Sequence, residues 1–183
     1  MLNGAVVRLR PVRQDDLDWL VAECGKPSAF GEFEPFFIGQ GESLRYAFEE
    51  NALLADDRTF LVIEDRSGRR VGVARIEGID MHSRVGRVAA TILDPHERGK
   101  GLGTDAHRLL VEYLFRHRGL ARLEAHVAAG NNAARAVLKR LGFREEGVLR
   151  ARILAHGSRH DVIVCGLLAE EWEERSRSAN LAI

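Results

Sequence analysis

Apolar and polar positions alternate along AVVRLRPV, Ala5 to Val12, which predicts a half-buried strand that Pro11 ends. RQDDLDWLVAECG then changes period. Leu17, Leu20 and Val21 fall on one helical face, the segment opens on acids, and Gly25 stops it. SAFGEFEPFFIGQG, residues 28–41, keeps no period and reads as an aromatic loop. ESLRYAFEENALLADD returns to helical spacing, with Leu44, Ala47, Phe48 and Leu54 inward. TFLVIED and RRVGVARIEGI are strands joined by the turn RSG, and RVGRVAATIL is a fourth strand closed by Asp94-Pro95. GTDAHRLLVEYLFRHRG carries Ala106, Leu109, Leu110, Tyr113 and Leu114 on one helix face. RLEAHVA is a short fifth strand. NNAARAVLKRLG is a helix capped by Asn131 or Asn132 and stopped by Gly142. FREEGVLRARIL and RHDVIVCGLL read as a closing strand pair.

The sum is α/β with a mixed sheet. The first four strands are expected antiparallel. The fourth and fifth, bridged by a helix, are expected parallel. No repeat or linker divides the chain, so residues 1–173 are expected to form one domain, followed by a loose polar tail over 174–183.

Composition narrows the partners. The 183 residues are 45% hydrophobic and 30% charged, with 27 basic against 27 acidic side chains. A zero net charge argues against a chain-wide nucleic-acid footprint, so no stable nucleic-acid partner is expected. No apolar run reaches the ~20 residues of a membrane span, and MLNGAVVRLRP lacks the apolar core of a signal segment. A cytoplasmic location is expected, and Cys24 and Cys165 read as buried small hydrophobes. No metal-ligand spacing occurs.

The chemistry concentrates in LDPHERGKGLGTDAHRLL, residues 93–110, where three glycines and two cations open a helix. A Gly-rich turn feeding a helix N-terminus aims backbone N–H groups at a phosphate. No Gly-Lys-Ser/Thr follows, so a nucleotide P-loop is excluded. Antiparallel strands precede the turn, so a dinucleotide fingerprint is excluded as well. What remains is Arg98-x-x-Gly101-x-Gly103. In it the glycines permit close backbone approach to a diphosphate, the N–H groups of residues 99–104 point outward, and Arg98 and Lys100 add positive charge.

This motif after a strand ending ILDP resembles the acyl-CoA pyrophosphate loop of the GNAT N-acetyltransferase superfamily. HVAAGNNAARAVLKRLGFREEGVLR resembles it too, through Asn131, Ala134, Gly142 and Phe143. LRPVRQDD, EEGVLR and HDVIVCGLLAEEW are similar to the ribosomal-protein (RimJ/RimL-like) branch. The resemblance spans nearly the whole chain. It implies that the fourth and fifth strands splay, and that acetyl-CoA is the co-substrate. Main-chain groups of Ile92 and Leu93 would bind the pantetheine. Arg98, Gly99, Lys100, Gly101, Leu102, Gly103 and Thr104 would cradle the diphosphate, with Asn131 and Ala134 completing the donor site.

The implied reaction moves an acetyl group to a primary amine, which must first lose a proton. Many members carry a Tyr as thiolate acid at the position of Leu138, and leucine cannot donate. Many carry a Glu base on the fourth strand, and RVGRVAATIL has no carboxylate. Glu124, His126 and His156 are therefore the candidate bases, and Asp161 is read as structural or substrate-orienting. The aromatic loop, with four phenylalanines and three acids in AFGEFEPFFIGQGE, is expected to roof the acceptor through Glu32, Glu34 and Phe36. Acids there suit a protein N-terminus, a polyamine, an amino sugar or an aminoglycoside. The resemblance also admits a homodimer. Two rivals stand beside the enzyme: a non-catalytic acyl-CoA-binding regulatory module, for which Leu138 is the hint, and a nucleic-acid binder using Arg98 and Lys100.

Overall fold

The computed structural model describes every residue except Phe30, Phe36, Asp56 and residues 181–183, and the side chains of residues 40, 179 and 180 are likewise not described. Its strands are β1 (Leu2–Asn3), β2 (Val7–Pro11), β3 (Leu54–Ala55), β4 (Arg58–Asp65), β5 (Arg70–Asp80), β6 (Val85–Ile92), β7 (Arg122–Ala128), β8 (Arg144–Ala155) and β9 (Ser158–Leu168). The helices are α1 (Leu17–Cys24), α2 (Gln40–Asn51), α3 (Leu102–Arg116), α4 (Asn132–Leu141) and α5 (Ala169–Asn180). One mixed sheet runs β1-β2-β4-β5-β6-β7-β9-β8, with β3 beside β4.

The β2-β4-β5-β6 ladder is antiparallel throughout. The crossover helix α3 makes β6 and β7 parallel, as a helical bridge between strands requires. Their pairing covers only Val85–Arg122, Gly86–Leu123 and Arg87–Glu124 among the described residues. Beyond Arg87 the two strands part, and β7 turns to its other neighbour, β9, through to the Ala128–Val162 pair.

Alternation along the strands builds two cores. Leu61, Ile63, Ala74, Ile76, Val88, Leu123, Ala125 and Val127 pack with Leu109, Leu110 and Leu114 of α3. On the opposite face Val62 and Val73 pack with Leu17, Leu20 and Cys24 of α1. Cys24 and Cys165 are both buried and unpaired. Burial pushes the Cys24 thiol up to about 11, so it packs as an uncharged group.

Three features depart from the sequence expectations. The two-residue strands β1 and β3 carry too few positions to show a period. Helix α5 runs to Asn180 where a loose tail was expected from residue 174. Trp172 packs on the core, and Arg175 donates to the Arg140 carbonyl at 3.1 Å, so the polar sequence is anchored at both levels. Arg10 is buried and joins β2 to the turn before α1 and to β4, at 2.8 Å from Asp16 and 2.7 Å from Glu64.

Helix α3 is pinned to the sheet edge by Asp105, whose Oδ2 accepts from the backbone of Val6 at 2.7 Å and Val7 at 3.1 Å. Burial pushes this carboxyl up, but the Val6 and Val7 N–H groups and Arg108 hold it below the ordinary aspartate value. Asp105→Ala leaves those donors unsatisfied. A loss of about 2 kcal/mol is expected, read as a lowered urea midpoint with an unchanged slope.

Candidate active site

At the open end of the β6–β7 seam the chain makes the glycine turn. Gly99 and Gly101 lie at φ +78° and +84°, in the left-handed region, and a Cβ on either would meet no atom within 4 Å. Both glycines therefore face open space, and their conformation is one that side-chain-bearing residues avoid. Gly101 is the N-cap of α3 and supplies no side-chain cap. The first intrahelical bond is Asp105 N–H to the Gly101 carbonyl at 3.0 Å, so the N–H groups of Leu102, Gly103 and Thr104 precede the helical ladder. An uncapped helix start with open glycines fits a diphosphate: donors and dipole point the same way. His107 braces the turn, its Nδ1 lying 2.9 Å from the Gly103 carbonyl, and burial depresses its pKa so that it stays neutral.

The two cations of the motif are engaged within the protein. Arg98 donates from Nε to the Ile92 carbonyl at 3.0 Å and from NH2 to the Ala29 carbonyl at 2.6 Å. It straps the aromatic loop to the end of β6. Lys100 pairs with Glu97 at 2.9 Å. The Leu93 N–H bonds back to Val71 at 3.1 Å, so the Leu93 N–H and the Ile92 carbonyl are partnered where free groups were expected. The stretch of β6 that β7 does not reach runs over residues 88–92.

Asn131 follows β7 and caps α4, its Oδ1 accepting from Ala134 N–H at 3.0 Å. The Asn131 amide nitrogen has no part in that bond, so capping and a contact in the seam are compatible. If both operate, Asn131→Ala costs ~1 kcal/mol of stability from the cap and, separately, raises KM for acetyl-CoA. A lowered melting temperature with an unchanged KM would leave the cap alone.

The charged residues of β5, β6 and β7 meet on the α1–α2 face. Glu77 pairs across to Arg87, and Arg87 to Glu124, by strand register. Glu77 lies 3.8 Å from Arg75 and 3.6 Å from Arg87. Arg87 NH1 is 3.3 Å from His126 Nδ1. Burial, then the positive charge of Arg87, lowers the His126 pKa, while Glu124 opposes them. Glu124 is tied to Arg122 at 3.0 Å, and Arg122 also holds Glu146. His126 thus sits just past the last β6–β7 pair, where the seam opens. His156 does not join it. It occupies the β8–β9 turn at φ +48°, roughly 25 Å along the hairpin from Val164, the partner of His126.

The aromatic loop reaches this end of the sheet through Phe33. The ring of Phe33 lies where a Gly130 side chain would be, with Cζ 2.8 Å from a built Cβ, and meets His160 edge-on at 5.5 Å. Desolvation pushes the Glu34 carboxyl above its ordinary value, with Arg75 opposing and Glu77 adding to the rise. Glu34 therefore acts with the β5 charge group, and both Glu32 and Glu34 stand exposed at the surface. Phe36 lies outside the described residues. Glu77 was missed in the sequence, although its signal was there: Arg75 and Glu77 interrupt the apolar face that Val73 begins. Asp161 accepts from Ala151 N–H at 2.7 Å and so holds a bulge in β8.

A cleft of about 590 Å³ opens between α4, β8 and α5, lined by Leu138, Phe143 and Cys165 among others. It contains neither the glycine turn nor Glu124 and His126. Leu138 is itself buried at 4% exposure, so no acid stands there.

Residues 7–144 match the acetyltransferase (GNAT) domain family. The chain belongs to the GNAT acetyltransferase family. Among its relatives is YdaF of Bacillus subtilis (strain 168), assigned by name only as a ribosomal N-acetyltransferase. The two are 36% identical over 106 residues, 58% of this chain and 57% of YdaF. That likeness is consistent with the RimJ/RimL-like branch. Spermidine N(1)-acetyltransferase of Escherichia coli (strain K12) is 27% identical over 168 residues, 89% of this chain and 86% of that protein. In fold, the GNAT chain superposes on the Vibrio cholerae spermidine N-acetyltransferase solved with CoA and spermine. The TM-score is 0.82 at 21% identity, covering 91% of this chain and 98% of that one. The protein is therefore an N-acetyltransferase of mixed α/β architecture.

Proposed function

We propose that this GNAT enzyme carries the acetyl group of acetyl-CoA to a small-molecule primary amine, which meets the thioester on the α1–α2 face of the sheet. The observation that carries this reading is the parting of β6 from β7 after Arg87, with the uncapped start of α3 at the open end. Leu102, Gly103 and Thr104 N–H groups hold the diphosphate, and the unreached stretch of β6 holds the pantetheine in the manner of an added strand. His126, held neutral, takes the proton that a primary amine carries at pH 7. With leucine at 138, the departing thiolate takes its proton from solvent, and placement of amine against thioester provides much of the acceleration.

Phe33, seated on Gly130, narrows the approach, which favours a compact acceptor over a folded protein. A protein N-terminus is the second reading, supported by the likeness to YdaF. A cytoplasmic location agrees with this chemistry, since acetyl-CoA is an intracellular metabolite. Self-association is supported by β8, an edge strand whose Val148, Leu149 and Leu154 are exposed, and by the dodecameric form of a Vibrio cholerae neighbour. The test is thiol release from acetyl-CoA across a panel of polyamines, amino sugars, amino acids and peptides. Release with a small amine supports the reading. CoA binding without release for any amine overturns it.

A further inference from the structure

The cleft between α4, β8 and α5 has no part in the acetyl transfer described above. Its floor is apolar: Leu138 and Phe143 are 4% exposed and Cys165 is 2% exposed. Its rim is basic. Arg135, Lys139, Arg144 and Arg175 line it, against the single acid Glu145. Glu145 is taken by Arg135 at 2.8 Å, and Arg144 by Glu171 of α5 at 2.8 Å. Lys139 is exposed and has no hydrogen bond or ion pair among the described residues. Arg175 spends one N–H on the Arg140 carbonyl at 3.1 Å and pairs with no carboxylate among the described residues. Two cations of the rim thus lack an acid partner. The next acid on β8, Glu146, does not supply one. It pairs with Arg122, and both stand where a Gly166 side chain would point, whereas the neighbouring Cys165 points to the opposite face. The carbonyls that end α4 do not oppose an anion either. Those of Leu138 and Lys139 accept from the Gly142 and Phe143 N–H groups, and that of Arg140 accepts from Arg175.

We propose that this cleft binds a small amphipathic anion, a carboxylate or phosphate on an apolar body, at a site separate from both substrates of the acetyl transfer. The apolar body lies on Leu138, Phe143 and Cys165, and the anion takes Lys139 and Arg175. The cleft volume of about 590 Å³ is that of a small-ligand site, ~300–1,000 Å³, and such sites join an apolar lining to a few convergent polar groups. Ionised donors hold an oxyanion about twice as strongly as neutral ones, and a guanidinium meets two of its oxygens at once. A polycation would instead face the four basic side chains of the rim. A neutral apolar molecule would leave Lys139 and Arg175 unused.

The probe is 8-anilinonaphthalene-1-sulfonate, read by its fluorescence on binding. N-phenyl-1-naphthylamine, the same ring system without the sulfonate, is the neutral control. Both are titrated without and with saturating acetyl-CoA. The sulfonate probe is expected to bind once per chain in either case, about tenfold more tightly than the neutral one, the scale of one charged hydrogen bond. Lys139→Gln and Arg175→Gln should each remove most of that advantage and leave the neutral probe unaffected. Ala136→Trp, on the α4 wall of the cleft, should exclude both probes. All three positions are exposed, and circular dichroism verifies the folds. Octanoate and octyl phosphate, added as competitors, separate carboxylate from phosphate, and at least one should displace the probe. Equal binding of the two probes, a sulfonate preference that survives Lys139→Gln and Arg175→Gln, displacement by neither competitor, or displacement by acetyl-CoA overturns the inference. So does binding that falls as protein concentration rises, because a second copy would then cover the cleft. None of these outcomes bears on the acetyltransferase reading, which stands or falls on thiol release.

Discussion

Gly103→Val is expected to weaken CoA binding by about a hundredfold or more while leaving the fold intact. A branched side chain in the first turn of α3 would crowd the N–H groups that meet the diphosphate. Each charge-assisted bond lost is worth about 1.5–3 kcal/mol, so losing two gives at least that factor. The folded chain itself tolerates the change. Gly103 is helical, and a Cβ there meets only the Ile92 side chain at 3.8 Å, an ordinary contact. Gly101→Val is a poorer probe, because at φ +84° it adds a backbone cost of about 1–2 kcal/mol that has nothing to do with ligand. Calorimetry on the folded Gly103→Val protein is the measurement, and an unchanged CoA affinity would remove the turn from the donor site.

The difference between the two glycines shows what the sequence made legible. Arg98-x-x-Gly101-x-Gly103 before an apolar-periodic helix was readable as a glycine turn opening that helix, because glycine and helix periodicity are local signals. Which glycine is strained and which is merely small required φ angles. The parallel pairing of β6 and β7 followed from the helix between them. The side-chain engagements did not follow. Arg98 reads as a phosphate cation in sequence, yet it bonds the carbonyls of Ile92 and Ala29, and Ala29 is 69 positions away. Glu77 and Arg87 sit ten residues apart on strands whose register places them opposite each other. The β8 bulge that carries Arg152 leaves no period in FREEGVLRARIL, because its cause, Asp161, lies on the next strand.

His126→Ala is expected to lower kcat by ~10²-fold and to remove the acidic limb of its pH profile, the effect of losing a general base. Of the three candidates, His126 is the base we propose. Glu124 is ion-paired with Arg122, and His156 stands at a hairpin tip. Glu124→Gln and His156→Ala should therefore keep the limb. The position of that limb is a sharper test. A base works in its neutral form, so activity is present above its pKa and falls as pH drops through it. Burial, then Arg87, depresses the His126 value below the ordinary 6.5, which places the limb below that pH in the unmodified enzyme. Arg87→Gln removes the cation and should move the limb upward in pH, whatever it does to acceptor affinity. An NMR titration of the His126 ring should follow the same shift. A limb that stays in place in Arg87→Gln and survives in His126→Ala would mean that no side chain removes the proton. The profile would then report the bound amine losing its own proton, and catalysis would rest on holding that neutral amine against the thioester. An enzyme with leucine where an acid is expected could work in that way without either proton-transfer group.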